Sequence, residues 1–348
     1  MNSDKVIVVG TNVRNVAESA RKAGYNVFAI TKYPDADLKL YANVEKMSNN
    51  IKQRVEELAQ SLNAKVVLCA GYEDLKIKAE VLGTDPKVAE EIVNKLKFYK
   101  VLDKAGIRYP ELGIYNPSIL KPIKGGGGIG IKLINSAIIP SGYLAQRYIE
   151  GVPCSVSLIV IDKRNNNVKP IAVNKIFVGW NEMNAKDFVY CGNLTPFIID
   201  NDVKNEIIRT AIDVVELFDV VGCVGVDFIL SDEPYVLELN PRFQGSLDSI
   251  EWSYDLNLFK LHVQAVEGRN IEVPKPKRVA ARTVLFADRT IHVKTCLVGN
   301  PFFADIPNKG EIIREGDPVI SILASGKCER EVISKVIQRR DLLFKLIL

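Results

Sequence analysis

Asp227, Glu238, Asn240 and Arg242 are the residues of this chain whose types and spacing point most directly to chemistry. Two apolar runs, Val224–Leu230 and Tyr235–Leu239, flank the turn-forming Ser231-Asp232-Glu233-Pro234. A hairpin centred there, with Leu230 facing Tyr235, sets Asp227 opposite Glu238 and Gly225 opposite Asn240. Strand alternation then gathers Asp227, Glu238 and Asn240 on one face and Val226, Phe228, Leu237 and Leu239 on the core face. Facing carboxylates have Cβ atoms about 5 Å apart. Their repulsion at an effective dielectric near 20 is roughly 3 kcal/mol, which a cation removes. An all-oxygen set of two carboxylates and an amide suits magnesium shared with substrate phosphates, not zinc. Arg242, just past the strand, offers a planar cation for phosphate or for developing negative charge. The alternative is an exposed polar hairpin face ending in an ordinary Asn-Pro turn.

A second constellation is Lys121 followed by Gly125, Gly126, Gly127, Gly128 and Gly130. Glycines 125, 127 and 130 spell GxGxxG, but Ile131–Ile134 is strand-like, so the helix of a dinucleotide fold is absent. Ile131 after Gly130 excludes a P-loop. A strand–glycine loop–strand can instead close its backbone amides over phosphates, with Lys121 reaching the same groups. A plain glycine-rich surface turn is the alternative, although four consecutive glycines are entropically costly. Gln146, Arg147, Tyr148 and Ile149 lie between two strand-like runs. They read as a hinge whose backbone meets an adenine edge, or as a hairpin.

The elements that position these residues follow in order. Residues 1–85 alternate strand and helix: Lys5–Val9, Val13–Ala23, Tyr25–Ile30, Ile51–Leu62 and Ala64–Cys69, a βαβαβ pattern expected to form a parallel sheet. The Gly10-Thr-Asn-Val-Arg turn lacks dinucleotide glycines. Residues 86–109 read as one or two helices after Asp85-Pro86, ending at Gly106. Arg164–Asn167 reads as a turn, Lys169–Val178 as a strand, and Phe188–Pro196 as a polar loop. Val203–Phe218 and Leu256–Glu267 read as helices and Pro274–Arg278 as a linker. Short strands and a helix over Glu329–Arg340 complete a small β-rich tail.

Composition excludes several classes. The 47% hydrophobic and 25% charged content is that of a globular protein, and a net charge of +4 over 348 residues gives no nucleic-acid stripe. No apolar run reaches membrane-spanning length, and the N-terminus lacks signal-peptide design. Six scattered cysteines without a CxxC pair suggest reduced thiols in the cytoplasm. With only His262 and His292 present, a histidine triad or zinc site is not expected.

The order of these features resembles the ATP-grasp superfamily over most of residues 1–270. Asp227…Glu238-x-Asn240-Pro241-Arg242 looks like its magnesium motif. Tyr190-x-Gly192-Asn193…Pro196, Asn240-Pro-Arg-x-Gln-Gly-Ser246 and Ala304-Asp-Ile-Pro are similar to a mainly archaeal group of predicted carboligases related to biotin carboxylase. The resemblance implies an α/β protein, α+β in its catalytic part. It would have a Rossmann-like domain (1–90), an ATP-grasp lid with the glycine loop (91–145), a catalytic subdomain (146–273) and a small β-rich C-terminal lobe with a terminal helix (274–348).

By the same resemblance Asp227, Glu238 and Asn240 hold magnesium, for which manganese can substitute. Asn240 and Arg242 serve catalysis, Lys95 and Lys121 bind ATP phosphates, and residues 146–149 form the adenine hinge. The implied reaction joins a carboxylate to an amine through an acyl phosphate, releasing ADP and phosphate. The partners are small molecules, without nucleic acid or membrane, and such proteins often form homodimers. A bicarbonate-phosphorylating carboxylase and a non-catalytic ATP-binding module are the alternatives. The chain departs from the pattern in a short stretch between Pro110 and Lys121, implying a missing lid helix. Gln146 and Pro153 replace acidic residues common at the hinge and at the ribose, and Asn94 replaces an Asp before Lys95. Substrate contacts are expected among Gly192–Pro196, Gln244–Ser246, Asp248 and Glu251.

Overall fold

Strand and helix alternate at once, as the opening apolar runs require. A computed structural model describes residues 4–135, 138–162 and 167–347. β1 (Lys5–Gly10), α1 (Arg14–Lys22), β2 (Asn26–Thr31), β3 (Ala42–Lys46), α2 (Ile51–Leu62) and β4 (Lys65–Leu68) build a parallel sheet in the order β3-β2-β1-β4. β1 lies at its centre and is apolar over Val6–Val9, which is what a strand covered on both faces requires. β3 was not expected. Ala42-Asn-Val-Glu-Lys is half polar because it is an edge strand.

The stretch after Pro86 forms two helices, α3 (Pro86–Val93) and α4 (Lys95–Lys104). Asp85 caps the first through Lys87 N at 2.7 Å, and Asn94 caps the second through Lys97 N at 3.2 Å. Asn94, a departure in sequence, thus has a structural role. α4 buries Phe98, Tyr99 and Leu102 in the core shared with the strands over 152–160 and 224–239. β5 (Ser118–Pro122), β6 (Lys132–Ile134) and β7 (Tyr143–Arg147) make a separate antiparallel sheet, β6-β5-β7, with the glycine loop joining β5 to β6.

β7 belongs to that sheet, whereas β8 (Val152–Asp162) enters a second one, so residues 148–151 cross between sheets and do not close a hairpin. β9 (Asn167–Val178), β10 (Tyr190–Thr195), α5 (Asn201–Glu216), β11 (Gly222–Leu230), β12 (Pro234–Asn240), α6 (Leu247–Tyr254), α7 (Leu258–Val266) and β13 (Val279–Phe286) follow. Then come β14 (Ile291–His292), β15 (Phe303–Ala304), β16 (Ile312–Ile313), β17 (Pro318–Gly326) and α8 (Glu329–Ile347). The large sheet runs β12-β11-β8-β9-β10-β13-β17-β15.

Three expectations change here. Phe188–Pro196, expected as a loop, contains β10. Its Gly, Asn and Thr are held extended by pairing to β9 on one side and β13 on the other. α6 was not expected. The tail has its own apolar core with α8, yet β13 and β17 continue the same eight-stranded sheet. Of the turn expected at 164–167, residues 164–166 lie outside the described residues and Asn167 opens β9. Among the described residues no helix is long and apolar enough to cross a membrane.

A buried ionic cluster ties α1 to α6 and to the segment after β15. The Arg14 side chain, 1% exposed, donates to both Asp248 carboxylate oxygens at 2.9 and 2.6 Å, to Asp305 Oδ1 at 3.1 Å and to Glu18 at 2.9 Å. Arg282 reaches Asp305 at 2.6 Å and Asp248 at 3.4 Å.

Beside this cluster, Glu251 accepts from Ser19 Oγ and from Leu258 N at 2.7 Å. Burial pushes the Glu251 carboxyl up to about 7 despite those bonds. A carboxyl raised on folding stabilises below its unfolded value, near 4, and this contribution is lost as pH rises through 7. Glu251→Gln keeps an acceptor for both donors and removes the titration. Urea denaturation at pH 5 and pH 8 should therefore show a pH-dependent loss about 3 kcal/mol smaller in the variant. Equal slopes would refute this origin.

Candidate functional site

The β6-β5-β7 sheet, the β11–β12 hairpin and the loop after β4 enclose a cavity of about 500 Å³. The hairpin register places Asp227 opposite Glu238 and Gly225 opposite Asn240, as expected. Beyond Asp227 the register shifts: Phe228 pairs with Val236 and Leu230 with Pro234, not Tyr235. Leu237, expected in the core, is the extra residue of this bulge and lines the cavity, while Val236 is fully buried. The bulge re-aims one side chain without disturbing the acidic pair.

Burial, and then the proximity of Glu238, hold the Asp227 carboxyl well above its ordinary range. A buried carboxyl whose charge is disfavoured by the facing Glu238 beside a cavity forms with it a donor set that a divalent cation would satisfy. Asn240 Nδ2 donates to Asp227 Oδ2 at 3.1 Å, and Asn240 Oδ1 accepts from Arg242 Nη2 at 2.9 Å. The amide oxygen expected as a metal ligand therefore faces Arg242. Among the described residues no group of three His, Cys, Asp or Glu side chains gathers as a metal site. The two carboxylates fit an ion that completes its shell with water and phosphate oxygens, as magnesium does.

Two lysines flank the pair. Lys95 Nζ donates to the Gly125 carbonyl at 2.6 Å and lies 3.8 Å from Glu238. It bridges the glycine loop to the acidic hairpin. Lys121 Nζ donates to Tyr99 Oη at 3.2 Å, and burial lowers its pKa to about 8 against the opposing pull of Glu238. Gly125, Gly126, Gly127 and Gly128 line the cavity. The Gly127 carbonyl accepts from Tyr190 N at 3.0 Å, and Gly128, at φ +74°, packs so close to the Phe188 carbonyl that no side chain fits. Gly130 is not in the wall; it sits against Pro122 and Tyr143.

Gln146, Arg147, Tyr148 and Ile149 line the same cavity. The amide of Arg147 donates to the Glu111 carbonyl at 2.9 Å and that of Tyr148 to Pro117 at 3.4 Å. Neither is free for a ligand. The Gln146 side chain is buried, donating to the Pro110 carbonyl at 2.7 Å, while its Oε1 has no partner among the described residues. Among the described residues the amide of Ile149 has no protein acceptor.

Sequence reasoning missed Glu73, on the loop after β4. It accepts from Arg242 Nε at 2.6 Å, and Arg242 Nη1 donates to the Phe243 carbonyl at 2.9 Å. No local motif marks a residue that meets its partner from 169 positions away. Asp248 and Glu251, expected at the substrate, face the α1 interface instead and are occupied there. Tyr190, Asn193, Gln244 and Ser246 line the cavity beyond Arg242.

Residues 92–246 match the family model of the ATP-grasp domain. A Methanocaldococcus jannaschii protein of unassigned function is 29% identical, covering 92% of this chain and 88% of that one. Tyramine–L-glutamate ligase of Methanocaldococcus fervens is 34% identical over 36% of each chain. The biotin carboxylase domain of Hydrogenobacter thermophilus 2-oxoglutarate carboxylase, solved as a dimer with MgADP and bicarbonate, superposes with a TM-score of 0.76 at 15% identity. That match covers 95% of this chain and 88% of that one, and it shows the fold.

Proposed function

We propose that this chain, an ATP-grasp protein of the ATP-dependent, ADP-forming ligase kind, joins a small carboxylic acid to an amine through an acyl phosphate. The observation that carries this reading is the Asp227–Glu238 pair facing two lysines and Arg242 across one cavity. Lys95, Lys121 and the glycine-loop amides would hold the triphosphate of ATP. Magnesium held by Asp227 and Glu238 would supply positive charge to those phosphates. Arg242, oriented by Glu73 and Asn240, would hold the acid and the charge that develops on transfer. A carboxylate oxygen attacks the terminal phosphorus as the bond to ADP breaks. The amine lone pair then attacks the acyl carbon as phosphate leaves. Neither step needs a protein nucleophile, and among the described residues that line the cavity none is a cysteine or histidine. The ligase named among the relatives supports amide formation. All six cysteines are unpaired, which supports a reducing, cytoplasmic setting.

The test is ADP release with magnesium and ATP against pooled acids, with hydroxylamine as the trapping amine. Hydroxamate formed in step with ADP is the expected result. ADP released with bicarbonate alone would assign a carboxylase, and nucleotide binding without ADP release in any pool would assign a binding module.

A further inference from the structure

The cavity wall beyond Arg242 is built from neutral hydrogen-bonding groups. Ser155 Oγ accepts from Asn174 Nδ2 at 3.1 Å, and among the described residues its own hydrogen has no acceptor. Gln244 Oε1 accepts from Ser157 Oγ at 2.7 Å, and its Nε2 has no partner among the described residues. The Gln244 amide lies directly on Gly225, where any Cβ would collide with it, one strand position pair from Asp227. Tyr190 Oη donates to Asn193 Oδ1 at 3.1 Å, so its lone pairs remain to accept. These groups offer two donors and one acceptor, none charged.

Among the described residues the carboxylates lining the cavity are Asp227 and Glu238, the pair assigned above to the cation. Asp227, directly opposite Ser155 on the paired strand, is the one that adjoins this wall, and the cation takes up its charge. Glu73 is held by Arg242, Asp248 by Arg14 and Arg282, and Glu251 by Leu258 N. An ammonium brought here would lose its hydration and meet Arg242 without a free counter-charge, whereas a hydroxyl or carbonyl regains its hydrogen bonds.

We infer that the acid activated at this site carries an uncharged hydroxyl or carbonyl beside its carboxylate and no ammonium group. Its carboxylate lies on Arg242 and its neutral substituent on Gln244, Ser155 and Tyr190. The inference rests on the ligase reading and names its substrate class as hydroxy or oxo acids, against amino acids.

Matched pairs differing only in hydroxyl for ammonium test it: lactate and alanine, glycerate and serine, malate and aspartate. Calorimetric binding to the full chain with magnesium and a non-hydrolysable ATP analogue is read beside hydroxamate formation with ATP. The hydroxy acid of a binding pair should bind at least about tenfold tighter. Gln244→Glu, isosteric and carrying a carboxylate into the wall, should shift that ratio about tenfold toward the amino acid while the melting temperature holds. Amino acids that bind as well and form hydroxamate would overturn the substrate class and leave the ligase standing. Nucleotide binding with no acid of either series bound or activated would overturn both.

Discussion

Glu238→Ala should lower ADP release about 10³-fold, roughly 4 kcal/mol of lost transition-state stabilisation, while leaving the metal-free protein close to its original stability. Glu238 faces Asp227 across the hairpin and, after burial, is the neighbour that disfavours its ionisation. Without a cation its repulsion of Asp227, roughly 3 kcal/mol at full charge, is opposed by its attraction for Lys95 at 3.8 Å, so truncation removes two contributions of opposite sign. With a cation the same truncation removes half of the carboxylate donor set. Turnover at saturating nucleotide and urea denaturation without metal are the two measurements. Lost turnover together with a large loss of metal-free stability would mean that Glu238 acts as packing. Retained turnover would remove the hairpin from the chemistry.

Arg14→Ala should destabilise the chain by about 3–5 kcal/mol, a large share of the roughly 5–15 kcal/mol that holds a typical domain folded. Glu18, Asp37, Asp248 and Asp305 all come within 4 Å of this one guanidinium. Burial pushes Asp305 up, but Arg14, Arg282 and Ser321 hold it far below the usual carboxylate range. Removing Arg14 leaves Asp248 and Asp305 buried with Arg282 as their remaining cation, while Glu18 keeps Lys22. Adding Asp248→Asn to the variant should recover part of the loss, because the second change removes one uncompensated charge. Urea denaturation of both variants checks this. A single-variant loss under about 1 kcal/mol would show that the cluster is solvated.

What was legible in the sequence was what lies close along the chain. The Asp227–Glu238 pairing followed from alternation and one turn, and the glycine loop from its flanking strands. The bulge at Leu237 did not follow, because one residue of slip leaves no compositional mark. β10 was hidden because Gly192 and Asn193 have weak strand preference and are extended only by their neighbours. Glu73 on Arg242 and Asp248 on Arg14 were hidden more deeply. Their partners lie 169 and 234 residues away, and ion pairs at that separation depend on the whole topology.

The eight-stranded sheet passes without a break from the acidic hairpin into the C-terminal strands. A chain ended at residue 273 would therefore not shed an appendage. It would strip β13 from β10 and turn Tyr190–Thr195 into a raw edge, its amides and carbonyls open to any passing strand. The cavity residues Tyr190 and Asn193 would then sit on a template for aggregation, and the last seventy-odd residues act as the seal that keeps this edge closed.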